Sequence, residues 1–159
     1  MIKKIKQTKL EKYLTVFIVI LAVFSFGTFF ILKNKCLFVK NYDPNNLVFE
    51  NVENIAILNV PCGNVIIELY PKLSPSSVKR FKMLINSGEY NNVAFHRVVK
   101  KFLVQAGDLE YGKKNNINYT YLGTGSSKYG KIKSEVSKPF NFLRGSVGMA
   151  RKSEMNTED

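Results

Sequence analysis

The pattern of apolar and polar residues changes sharply at about residue 35. Residues 14–32 read LTVFIVILAVFSFGTFFIL and contain no charged side chain. As an α-helix, this stretch would extend about 28 Å at ~1.5 Å per residue, close to the ~30 Å of a hydrocarbon core. It offers no polar face to water, so a helix of a soluble domain is a poor interpretation. The pattern predicts a transmembrane helix over residues 14–32.

The flanks of this span distinguish an uncleaved anchor from a cleaved signal peptide. The residues ILKNKC provide no small-x-small cleavage site, and Lys35 precedes Cys36 where a lipoprotein signal requires a small residue. We therefore favour an anchor and keep the cleaved signal as the alternative. Five lysines precede the span and three follow it closely. The positive-inside rule then places the basic N-terminus, residues 1–13, in the cytoplasm and the rest outside, in a bacterial periplasm.

Beyond the anchor, residues 33–54 are polar and lack periodicity, which predicts a linker. Two β-branched runs follow, IAILNV and VIIELY, and Gly63-Asn64 between them predicts a hairpin turn. The next stretch, SPSSVKRFKMLINSG, predicts a helix over about residues 75–87, with Ser74 as its N-cap and Gly88 at its end. The apolar residues on one face of this helix are Val78, Phe81, Leu84 and Ile85.

Two short apolar runs in the second half of the chain, VAFHRVV and FLVQAG, predict strands joined by Lys100-Lys101. With a period of two, Arg97 and Val99 share one face of the first strand, and His96 lies on the other. The isolated position of a cation and an imidazole within an apolar run makes this hairpin the first place to look for a site.

The rest of the chain is mostly polar. Residues 109–138 predict a loop, and RGSVGMARK, from Arg144, predicts a last short strand. Taken together, residues 55–159 predict one mainly β domain with a single helix.

Charge and cysteine content narrow the possible partners. The net charge is +12, and the first 35 residues, with seven lysines and one acid, contribute half of it. The scattered remainder favours anionic lipids or acidic partners, although a solvated surface is the commoner explanation, and no nucleic-acid motif accompanies it.

Cys36 and Cys62 allow one disulfide. A single histidine argues against a zinc site, and no cofactor motif is present.

The titratable residues argue against nucleophilic, acid–base and metal-dependent catalysis. No nucleophile with a base, no carboxylate pair and no metal set stands out in the sequence. Rotation about an X-Pro bond needs none of these, since its barrier of ~18–20 kcal/mol comes from amide resonance. A donor aimed at the prolyl nitrogen localises the lone pair, while an apolar pocket and an amide side chain hold the twisted form. The residues that supply such a set are Arg97, Phe102, Leu103 and Gln105.

The same stretch resembles the cyclophilin family of peptidyl-prolyl cis-trans isomerases. The motifs are FHR followed by F-x-x-Q-x-G-D in INSGEYNNVAFHRVVKKFLVQAGD, together with VIIELYP and RGSVGMAR. The resemblance runs from about Ile55 to Arg151. It implies a closed antiparallel β-barrel of eight strands with two helices, of which this chain would contain the first five strands and one helix. It implies no metal and no cofactor.

The resemblance also implies roles for individual residues. By position, Arg97 is similar to the catalytic arginine that donates to the prolyl nitrogen, and His96 belongs to the motif as a structural residue. The implied substrate-binding residues are Phe102, Leu103, Gln105, Ala150 and Arg151.

Three departures from the family pattern bear on activity. Lys100-Lys101 stands where the family usually has x-Gly, and Ala106 replaces a glycine. After Asp159 the family continues into a Gly/Ser-Gln-Phe-Phe strand, further strands and a second helix, so we expect an incomplete barrel with unpaired edges. We predict a membrane-anchored isomerase of X-Pro bonds that assists the folding of exported proteins. The alternatives are a weak or inactive remnant that binds proline peptides, and a decayed product without a stable fold.

Overall fold

The computed structural model describes residues 8–34, 36–37, 39–40, 43–135 and 141–159. The chain divides into two units, one formed by residues 1–49 and 57–66 and the other by residues 50–56 and 67–159. The first contains the N-terminal helix, and the second contains the predicted site.

The N-terminal helix, α1, spans Lys9–Lys33 and begins earlier than the predicted 14–32. Its start is fixed by a capping box, in which Thr8 Oγ1 accepts from the Glu11 amide and the Glu11 carboxylate accepts from the Thr8 amide. None of its residues is buried. It is long and apolar enough to cross a membrane, although signal sequences near an N-terminus have the same character. Residues 1–7 of the predicted basic segment lie outside the described residues.

The predicted linker contains two short 3-10 helices, Pro44–Asn46 and Val52–Asn54. Asp43 starts the first one, because its carboxylate accepts from the Asn45 amide at 3.0 Å. Residues 35, 38, 41 and 42 of this segment are outside the described part.

Strands β1 (Ile55–Val60) and β2 (Gly63–Glu68) pair in a two-stranded sheet. The turn between them is Pro61-Cys62, so the prediction of a turn at Gly63-Asn64 was wrong by two residues. Gly63 opens β2 with φ +140°, an extended conformation on the positive side that its missing Cβ permits. Cys62 of this turn forms a disulfide with Cys36, and their Cα atoms are 4.9 Å apart.

The second helix, α2, spans Pro75–Asn86, close to the predicted 75–87. Ser74 occupies the N-cap position but makes no side-chain capping bond. The Glu135 carboxylate takes that role, accepting from the Ser76 amide at 2.7 Å and the Ser77 amide at 2.9 Å. These bonds offset the desolvation of the carboxylate and hold the pKa of Glu135 below its ordinary value. Gly88, just past the helix, has φ +71°, as predicted for its end.

The apolar face of α2 supplies the core of the second unit. Leu84 is 1% exposed and Val78 is buried, whereas Ile85, predicted on the same face, is exposed. Phe81 packs against Tyr90 with ring centroids 5.4 Å apart. On the polar side, Arg80 forms an ion pair with Asp159 at 3.0 Å.

Strands β3 (Arg97–Val99) and β4 (Leu103–Gln105) form the second sheet, an antiparallel pair. Within the described ranges there are four strands in two separate sheets, so the predicted fifth strand and barrel arrangement are not seen there. The predicted strand at RGSVGMARK was wrong. The Ser146 amide donates to the Leu143 carbonyl and Gly145 has φ +91°, so this segment forms a turn.

Candidate active site

The β3–β4 hairpin brings Arg97 and Gln105 together. They are directly opposite partners in the ladder, and Val99 pairs with Leu103 two residues further along. Because directly paired residues share a face, all four lie on the same side of the hairpin. The predicted catalytic arginine, the predicted amide side chain and one predicted pocket residue thus form a single surface.

This surface combines a polar row with an apolar row. The Arg97 side chain is exposed, whereas Leu103 and Gln105 are half-buried. The opposite side of the hairpin carries the pair Val98 and Val104, which are 67% and 64% exposed. The cation therefore stands beside an apolar floor on the face that it shares with Gln105.

The hairpin closes through a tight turn whose backbone the sequence did not predict. The Phe102 amide donates to the Val99 carbonyl at 3.0 Å, which closes a turn around Lys100 and Lys101. Lys101 has φ +61°, in the left-handed region. A positive φ at the third residue alone of such a four-residue turn is the type II pattern, and glycine is the usual occupant of that position. Phe102, the predicted aromatic wall, follows this residue and is 76% exposed.

His96 lies at the base of the hairpin. Its amide donates to the Gln105 carbonyl at 3.0 Å, which extends the ladder by one bond beyond Arg97. Both imidazole nitrogens are buried and have no hydrogen-bond partner among the described residues. The ring packs against Gly123, where an added Cβ would lie 3.0 Å from His96 Cδ2. His96 thus packs in the interior, consistent with the structural role expected for it.

Asp108 organises the loop that covers His96. Its side chain is buried, and its two oxygens accept from the backbone amides of four loop residues: Glu110, Tyr111, Gly123 and Gly125. Burial alone would raise the pKa of Asp108, but these four bonds outweigh it and hold the pKa below its ordinary value. The carboxylate therefore fixes the loop beside His96, at the base of the hairpin. The sequence motif contained Asp108 but gave no sign of its four partners.

Ala150 and Arg151 lie in an exposed, irregular segment. The Arg151 guanidinium donates to the carbonyls of its own segment, Lys152 and Ser153 at 3.1 Å each and Glu154 at 3.5 Å. The described contacts do not bring these two residues to the hairpin. Their assignment to the substrate groove remains a prediction.

Two concave surfaces of this unit are lined by residues other than the predicted site residues. A groove of about 390 Å³ is lined by Glu89, Leu109, Glu110, Ser126, Ser127, Lys128 and Tyr129. Of its two acidic residues, Glu89 pairs with Lys128 at 3.1 Å. Among the residues that the structure describes, no group of His, Cys, Asp and Glu side chains could hold a metal ion.

The chain is similar in sequence to known peptidyl-prolyl cis-trans isomerases. The chain is 42% identical over 106 residues to a "Probable peptidyl-prolyl cis-trans isomerase" of Brucella suis, a match covering 66% of this chain and 54% of that protein. It is 33% identical over 101 residues to "Peptidyl-prolyl cis-trans isomerase A" of Dickeya dadantii, covering 64% and 48%. This chain therefore spans about half the length of these curated relatives. No solved structure gave a significant match.

The family profile described as "Cyclophilin type peptidyl-prolyl cis-trans isomerase/CLD" matches residues 54–159. These residues include both sheets, α2 and the β3–β4 hairpin. The match covers about two thirds of the chain, and it agrees with the motifs around Arg97. The chain belongs to the cyclophilin-type peptidyl-prolyl cis-trans isomerase family.

Proposed function

We propose that this protein catalyses cis-trans isomerisation of X-Pro bonds, with Arg97 as the donor to the prolyl nitrogen. The observation that supports this most directly is the cross-strand pairing of Arg97 with Gln105 on one face of the hairpin. A guanidinium can approach the amide nitrogen while the neighbouring carboxamide binds the substrate backbone.

The donor lowers the barrier because it interacts with the twisted amide more strongly than with the planar one. In the planar amide the nitrogen lone pair is delocalised into the carbonyl, whereas in the twisted form it can accept a hydrogen bond. A charge-assisted bond of ~1.5–3 kcal/mol, made only in the twisted form, corresponds to about a tenfold to a hundredfold rate gain. Leu103 and Phe102 would hold the proline ring beside the donor.

We further propose that the substrates are exported polypeptides and that α1 anchors the site outside the cytoplasm. Two observations support this location. Lysines are more frequent before the apolar helix than after it. The Cys36–Cys62 disulfide fits an oxidising compartment such as a periplasm.

The test uses the full chain in nonionic detergent and a peptide with one Ala-Pro bond, whose exchange is followed by NMR. Arg97→Ala should lower the catalysed exchange rate by about tenfold to a hundredfold. Arg144→Ala, which removes an exposed arginine elsewhere, is the matched control and should leave the rate unchanged. Equal rates for Arg97→Ala and the unaltered chain would refute the role of Arg97.

A second candidate function is binding of proline segments without turnover. The 76% exposure of Phe102 favours it, because a wall that stays open to solvent can contact a proline ring but does little to hold the twisted form that turnover requires. In that case the unaltered chain would bind the peptide, as measured by fluorescence anisotropy, but would not accelerate exchange. Phe102→Ala should then weaken binding, whereas Arg97→Ala should leave it nearly unchanged.

A further inference from the structure

We propose that Lys100 and Lys101 make this site select proline segments that carry an acidic residue close to the proline. The inference rests on the proposed function and adds the substrate class. It concerns the hairpin tip, defined here as residues 99–102, which the isomerase chemistry leaves unexplained.

The first observation is an uncompensated charge. Residues 97–105 contain three cations, Arg97, Lys100 and Lys101, and no acid. All three side chains are exposed, and none forms an ion pair with a described residue.

Two acidic residues of the same unit form ion pairs with cations outside the tip. Glu89 pairs with Lys113 and Lys128, and Asp159 pairs with Arg80 and Lys131. The tip therefore keeps its positive potential for an incoming ligand.

The second observation is the backbone of Lys101. Its φ of +61° lies in the region that glycine adopts freely and that costs other residues roughly 1–2 kcal/mol. A glycine would close the same turn without this cost. The chain thus places a cation at a strained position directly before Phe102, and that arrangement is consistent with a use for the charge.

The third observation is the position of the tip relative to the proposed site. Lys101 is adjacent in the chain to the aromatic wall, and Val99 of the same turn lies on the Arg97 face. An extended substrate advances ~3.3 Å per residue, and each ammonium sits on a flexible four-carbon stem. A carboxylate within about two or three residues of the bound proline is therefore within reach of at least one lysine.

The experiment compares three peptides that differ at one position two residues from the proline, with Glu, Gln or Lys. Exchange rates and dissociation constants are measured for the full chain in nonionic detergent. At low ionic strength, two surface cations at roughly 8 Å should favour Glu over Gln by about fivefold. The Lys peptide should be disfavoured by a similar factor. The preference should nearly vanish at about 0.5 M NaCl, where the screening length falls to roughly 4 Å.

Two double variants distinguish an effect of the tip lysines from an effect of the protein's overall positive charge. The double change Lys100→Gln and Lys101→Gln should abolish the Glu preference. The control removes two exposed lysines elsewhere, Lys79→Gln and Lys133→Gln, and should keep the preference. Equal loss in both variants, or no preference in the unaltered chain, would overturn the inference.

The outcomes also distinguish this inference from the proposed function. Turnover without a Glu preference refutes only the inference, and a Glu preference in binding without turnover refutes only the isomerase activity. If no peptide binds, both fail. In nanodiscs, hydrogen exchange at the tip that slows with anionic but not neutral lipid, with no peptide effect, would assign the lysines to a lipid surface and overturn the inference.

Discussion

Replacing Lys101 by glycine should make the protein more stable, although it removes a side chain and adds chain flexibility. The left-handed φ of +61° costs a non-glycine residue roughly 1–2 kcal/mol, and glycine removes that cost. Glycine also raises the entropy of the unfolded chain, which costs about 0.5–1 kcal/mol. The net gain in the free energy of unfolding is therefore about 0.5–1 kcal/mol.

Lys100→Gly provides a matched control one residue away. Lys100 lies in the same turn, is exposed like Lys101, and is not among the residues with positive φ. Here glycine relieves no strain, so only the entropic penalty remains and stability should fall by about 0.5–1 kcal/mol. The two Lys→Gly changes remove the same charge, so a difference of opposite sign isolates the backbone term.

The assay is urea unfolding of the full chain in nonionic detergent, followed by tyrosine fluorescence. With a slope of roughly 1–2 kcal/mol/M, the midpoints of the two variants should differ by about 1 M. Hydrogen exchange at residues 97–105 should slow in Lys101→Gly and quicken in Lys100→Gly. A destabilised Lys101→Gly would refute the strained turn, and with it one argument for the function of this lysine.

Three further changes test other contacts. Asp108→Asn should lower the free energy of unfolding by about 2 kcal/mol, because an amide presents an NH₂ to loop amides that now donate to the carboxylate. Since the folded pKa of Asp108 is depressed, its stabilisation is full above the unfolded pKa of about 3.9 and is lost as pH falls through the folded value. The unaltered chain should therefore lose more stability than Asp108→Asn in an acid titration from about pH 5 downward. Glu135→Gln should speed hydrogen exchange at Ser76 and Ser77, with a cost of about 1 kcal/mol. Cys36→Ser should leave one thiol, at Cys62, that reacts with maleimide without prior reduction.

The elements that local pattern specifies were the ones that the sequence could predict. The apolar run of α1 and the face of α2 with Val78 and Leu84 carry their own periodicity, so their existence and type follow from it. The hairpin of β3 and β4 was also predictable, because period two places Arg97 and Val99 on one face.

Long-range contacts were not predictable in the same way. Ser74 has the residue type of an N-cap, yet Glu135, about 60 residues later in the chain, caps α2 instead. No local sequence pattern predicts a capping partner so far away in the chain. The segment after Arg144 fails as a strand for a related reason, since a strand forms only where another backbone pairs with it, and here the amide of Ser146 is used within a turn.

The residue types of the candidate site come from the sequence motif, whereas their arrangement comes from the structure, and their roles remain predictions. The motif identified Arg97 and Gln105, and the structure pairs them. The residue type of Lys101 does not predict its left-handed conformation, and the signal that could have found it is the glycine that the family usually has there. The relation of Ala150 to the hairpin depends on tertiary contacts and remains a prediction.

The Cys36–Cys62 disulfide has a consequence for proteolysis. It closes a covalent ring that contains the chain from Cys36 to Cys62, since the two cysteines are 26 positions apart. A protease that cuts one peptide bond inside this ring leaves the two fragments joined through sulfur. The nicked chain would run as one species on a non-reducing gel and as two after reduction. When the cut falls inside the ring, separating the fragment that carries Cys62 from the N-terminal helix would thus require two events, the cut and a reduction.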